Sequence, residues 1–152
     1  MFQILTFYHS IMRWLVLASI VYGIYRAYRG YSSNGIFSPT DNAVRHWTAT
    51  IVHIQLIIGF ILYIQSPITK HFWKNINEAV KSLDLIFFGL LHLILMLTAI
   101  IVVTIGSALS KRKKDDKEKF KTMLVWFSVA LIIIFIAIPW PFSPFATRPY
   151  FR

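Results

Sequence analysis

The sequence predicts an all-α integral membrane protein, an up-down four-helix bundle forming a single domain. Three observations carry that prediction. The chain is 57% hydrophobic and 16% aromatic over 152 residues, whereas a soluble domain is about 45–50% apolar. Its mean hydropathy is +0.60, and the excess is concentrated in long runs. Those runs approach the roughly 20 residues needed to cross a hydrocarbon core of about 30 Å, the last being the shortest.

The first span is expected over residues 2–25. No basic stretch precedes it and no small-residue cleavage site follows, so it reads as a retained helix and not a removed signal peptide. It ends in Tyr25, Arg26, Tyr28 and Arg29, an aromatic and basic cluster suited to the headgroup boundary. A loop with Gly35 and Pro39 follows, and Ser38, Thr40, Asp41 and Asn42 offer helix-starting caps. The second span is expected over residues 43–65 and is stopped by Ser66 and Pro67. Residues 68–82 hold His71, Phe72, Trp73 and three lysines, the composition of a short amphipathic interfacial segment. The third span is expected over residues 83–107. The mixed charge run 111–121 reads as a solvated turn that touches partner or anionic lipid at most. The fourth span is expected over residues 122–138. Pro139, Pro141 and Pro144 end it, with Trp140, Phe142 and Phe145 as an aromatic anchor.

Charge placement assigns the partners of a +10 chain. Seven of its sixteen basic residues lie within 111–121, and most others flank apolar runs. That is an orientation signal for a membrane protein and argues against nucleic acid. The side carrying Arg26, Arg29, Arg45 and the 111–121 cluster holds ten basic residues, against five for Lys70, Lys74, Lys81, Arg148 and Arg152. The richer side is expected to be cytoplasmic, which puts both termini outside, in the periplasm for a bacterial inner membrane. With no cysteine in the chain, disulfides, iron–sulfur clusters, thiolate zinc sites and covalently attached c-type haem are excluded.

The chemistry is expected to lie with the ionisable residues inside the spans: His9, Arg13, His46, His53 and His92. A central charge in hydrocarbon costs on the order of 2.5–3.5 kcal/mol on insertion scales, so such residues mark function by default. His9 and Arg13 share a helix face, as do His46, Thr50 and His53. Gly89 precedes His92 by one turn, where a glycine lets a flat ligand approach the backbone. At 1.5 Å per residue, His9 and His92 should lie within roughly 3–5 Å of the same depth. Spans one and three would be diagonal in the bundle. A metal or haem held by two of His9, His53 and His92 is therefore expected, with His9 and His92 the preferred pair and His53 with His92 the next. His46, beside Arg45 and Trp47, is expected at the interface, and His71 in an exposed loop. Arg13 requires an anion or a route to the interface, and the only acidic residue near a span is Asp84. A haem propionate would match its bidentate geometry.

The strings His9-Ser10-Ile11-Met12-Arg13-Trp14, Arg45-His46-Trp47-Thr48-Ala49-Thr50-Ile51-Val52-His53 and Gly89-Leu90-Leu91-His92 resemble those of small four-helix membrane cytochromes b. That group includes the haem-bearing membrane anchors of succinate dehydrogenase and the cytochrome subunits of formate dehydrogenase and hydrogenase. The resemblance implies one bis-histidine haem b per chain, with Arg13, Gly89 and His46 as cofactor-binding residues. It implies electron exchange with quinone or with another subunit of a membrane oxidoreductase. Thr48, Thr50, Gln55 and His46 are the polar candidates for a quinone. The two-haem members of the group differ in having a second, well-separated histidine pair. Two other functions fit the sequence: a non-catalytic assembly or anchor subunit, whose histidines bond to neighbouring helices, and a small porphyrin-handling membrane oxidoreductase, with one open coordination position.

Overall fold

The computed structural model describes residues 1–150, so Arg152, counted above on the outer side, lies outside the described residues. The described residues are mostly helical, and no strand occurs among them. Helix α1 spans Phe2–Ser32 and α2 spans Pro39–Gln65. Two short helices follow, α3 over Pro67–Lys74 and α4 over Ile76–Ala79. The long α5, Leu83–Arg112, contains a π-helical turn at Phe87–Leu91. Helix α6 spans Asp116–Ala137. Helices α1, α2, α5 and α6 are each long and apolar enough to cross a membrane. They pack in the cyclic order α1–α2–α5–α6, so α1 and α5 face each other across the bundle.

Several boundaries differ from those expected. Helix α1 runs seven residues past the expected end at Tyr25, because nothing between Arg26 and Ser32 breaks a helix and its last turn lies beyond the apolar run. The charge run 111–121 is mostly helical, and only residues 113–115 separate α5 from α6. Asp115 caps α6 by accepting from the Glu118 N–H at 3.0 Å, and the acidic Asp116 and Glu118 in its first turn suit the positive end of the helix dipole. The segment after α2 forms the expected short amphipathic helix: α3 buries Thr69 and Phe72 and exposes Lys70, His71 and Trp73.

Helix α2 starts early, at Pro39, because Ser38 and Asp41 form a capping box. The Ser38 N–H donates to Asp41 Oδ2 at 2.9 Å, and Ser38 Oγ accepts from the Asp41 N–H at 3.2 Å. Asp41 Oδ1 also accepts from Arg26 Nε and Nη2 at 2.9 and 2.7 Å, tying α1 to α2. Deeper in the membrane, small residues let the helices close up, as lipid-phase packing requires. Gly106 of α5 lies against Trp126 of α6, and Phe120, Met123 and Phe127 of α6 are fully buried. Replacing Asp41 by Ala removes the carboxylate half of the capping box and the group that holds Arg26, while the residue-41 N–H still donates to Ser38 Oγ. A loss of about 2 kcal/mol is expected, read as a lowered thermal midpoint in detergent, whereas Glu118→Ala on the exposed charge run should change it little.

The tail after α6 is more than an interfacial anchor. Its prolines prevent helix, and the chain turns back over the end of the bundle that holds the N-terminus. Trp140 is buried at 7% exposure, its indole Nε1 donating to Phe135 O at 2.9 Å and its ring meeting Trp14 edge-on at 5.8 Å. Phe145 stacks on Phe87 at 6.3 Å, and Arg148 pairs with Asp84 at 2.8 Å.

Candidate functional site

Helices α1 and α5 bring His9 and His92 together across the bundle, with ring centroids 6.4 Å apart. The planes of the two rings are inclined at 73°.

Each histidine has a distinct local origin. His92 Nδ1 donates to Ala137 O at 2.8 Å. Ala137 ends α6, and the residue four further on is Pro141, which has no N–H to continue the helical ladder. The proline thus leaves a carbonyl in the bundle that His92 satisfies. With the proton on Nδ1, the Nε2 lone pair of His92 is available to a metal. His9 lies against α2 at Gly59, where an added Cβ would come within 3.0 Å of its Cε1. Gln55 Nε2 donates to the His9 carbonyl at 2.9 Å. His9 Nδ1 and Gln55 Oε1 are buried without hydrogen-bond partners among the described residues, which is rare for buried polar atoms and characteristic of functional sites.

Both histidines line a cavity of about 380 Å³ whose wall also carries Arg13, Gln55, Tyr63 and Arg148 among mainly apolar side chains. Small-molecule sites commonly enclose about 300–1,000 Å³. Arg13, one turn from His9, donates to Tyr150 O in the tail. Its guanidinium lies 5.5 Å from the Trp14 ring centre and 5.9 Å from that of Trp140, within cation–π range.

The remaining expected residues are placed elsewhere. His53 sets Nδ1 2.7 Å from Ala49 O in its own helix, and Nε2 3.2 Å from Thr104 Oγ1. Its Nδ1 proton is taken by its own helix, and the ring does not line the cavity. His46 is exposed towards the other end of α2, its ring 5.7 Å from Trp47. His71 is exposed on α3, within 3.3 Å of Asn75 Nδ2. Gly89, expected beside a flat ligand, instead packs against the Phe72 ring. The π turn is the reason, since it departs from the 3.6-residue spacing that would put Gly89 on the face of His92. Tyr63 Oη donates to the Gly89 carbonyl at 2.7 Å and accepts from Trp73 Nε1 at 2.8 Å, so α2 and α3 hold the turn from which His92 projects.

No group of three or more His, Cys, Asp or Glu side chains with metal-binding geometry occurs among the described residues. No protein-family model, no curated protein and no solved structure matches the chain.

Proposed function

We propose that this protein is a membrane electron carrier holding one haem b between His9 and His92. The observation that carries this reading is the 6.4 Å His9–His92 pair, with His92 fixed in one tautomer by Ala137 O. The bound haem supplies reversible one-electron chemistry at its iron. The chain does the rest. His9 and His92 supply the axial nitrogens. Arg13 sits one turn from His9 on the cavity wall, where its fork of donors suits a propionate. The apolar wall keeps water from the metal, and exclusion of water and local charge tune the potential. Lipid-phase quinone, or a neighbouring subunit of a membrane oxidoreductase, is the natural exchange partner. Gln55 and Tyr63 are the polar side chains of α2 on the cavity wall and would be its contacts to a quinone.

Two saturated axial positions leave no room for a third ligand. The dithionite-reduced protein is expected not to change its spectrum under carbon monoxide. A carbon monoxide adduct would point to an open position, and so to the porphyrin-handling alternative. The positive-inside asymmetry puts residues 33–38 and 113–115 on the cytoplasmic side of a bacterial inner membrane and the cavity near the outer side. An enzyme reporter that works only after export, fused behind the last residue, should be active; one that works only in the cytoplasm should not. The reverse pattern would overturn this orientation.

A further inference from the structure

The outer wall of the cavity is contributed by the tail, through Ile138, Pro139, Arg148 and Pro149. Arg13 and Arg148 are the charged side chains on that wall. Sequence reading treats Arg148 only as a loop charge, but the fold fixes it carefully. Its Nη2 donates to Asp84 Oδ2 at 2.8 Å and its Nη1 to Thr147 O at 2.7 Å. Its guanidinium lies 4.4 Å from the Phe88 ring centre. Phe88 also lines the cavity. Arg148 Nε is buried with no hydrogen-bond partner among the described residues, a donor that a guanidinium can offer to a second acceptor.

We infer that Arg148 is a second carboxylate-binding residue of this site, taking the propionate of a bound iron porphyrin that Arg13 does not take. The inference rests on the haem reading and extends it. Protoporphyrin carries two carboxylates on neighbouring pyrroles, and a mainly apolar cavity cannot leave one ionised without a cation. Arg13 bonds the carbonyl of Tyr150, two residues beyond Arg148, so both arginines serve the tail-covered end of the cavity. Asp84 is a suitable resting partner. Its side chain is 43% exposed, so water can solvate it when Arg148 turns to a ligand carboxylate.

The test uses the full-length protein in detergent, stripped and reloaded with iron protoporphyrin IX or with its mono- or dimethyl ester. Dissociation is timed by transfer to apomyoglobin. The wild type should release the dimethyl ester at least about a hundredfold faster than the diacid, as two charge-assisted contacts are lost. In Arg148→Gln this discrimination should fall about tenfold, and the tail should become more open to protease in the loaded protein. Asp84→Asn should keep the wild-type discrimination. Arg148→Lys, which keeps the charge but not the Nε donor, should be intermediate and guards against misfolding of the glutamine variant. Wild-type discrimination in Arg148→Gln overturns the inference. So does an Asp84→Asn variant that behaves like Arg148→Gln, since Arg148 would then only tie the tail to α5. A folded wild type that takes up none of the three porphyrins in low-spin form overturns the haem reading itself, and the two failures are thereby distinct.

Discussion

Replacing His92 by Ala is expected to abolish the low-spin haem spectrum of the purified protein. The substitution removes one of the two proposed ligand nitrogens and leaves the Ala137 carbonyl, now accepting at 2.8 Å, without a donor inside the bundle. An unsatisfied buried acceptor costs about 1–3 kcal/mol, so the variant should also melt earlier. His9→Ala separates ligation from stability. The His9 side chain makes no hydrogen bond through Nδ1, so its loss should remove the low-spin signal with a smaller change in melting. His53→Ala and His71→Ala should keep the signal, because His53 is engaged by Ala49 and Thr104 and His71 is exposed on α3. Absorption and electron paramagnetic resonance spectra on folded fractions read all four variants. A low-spin spectrum retained in His9→Ala and lost in His53→Ala would reverse the ligand assignment.

Substitution of Gly106 by Val should be the most damaging single change outside the site. A Cβ at this position would collide with Trp126 Cβ and come within 2.8 Å of its Cγ. The clash is with Trp126 Cβ, which no side-chain rotation can move, so α5 must separate from α6. Overpacking of a close helix contact costs about 1–3 kcal/mol, and β-branching adds to it. The same seam sets His92 on α5 against Ala137 on α6. The variant should therefore lose haem as it loses stability, with Gly106→Ala milder in both. Thermal melts and haem per chain, measured together, check the coupling. A Gly106→Val protein with unchanged midpoint would contradict the close packing of α5 on α6.

The four spans were legible because bilayer crossing imposes a length and an apolar composition that loops cannot imitate. The pairing of His9 with His92 was legible for a related reason. Helical rise converts sequence position into depth, and parallel spans of an up-down bundle can be compared directly. The rest needed tertiary information. His53 ranked next after His9 as a partner for His92, but whether a helical histidine turns back to its own carbonyl or outward to a ligand is a matter of side-chain rotation. Gly89 was misplaced by the π turn, which has no compositional signature and shifts the helix face by a fraction of a turn. The folding-back of the tail was half visible: three prolines forbid helix, but they do not say where the chain goes next. One signal was present and unused. Pro141 lies four residues beyond Ala137, which leaves a helix-terminal carbonyl in need of a donor, and His92 is that donor.

The most direct measurement is the reduced-minus-oxidised absorption spectrum of the purified, folded protein, with haem quantified per chain. One haem b per chain with a low-spin, six-coordinate spectrum is the expected result. Folded protein that carries no haem, or a low-spin spectrum that persists after His9, His53 and His92 are all replaced, would contradict the cytochrome reading.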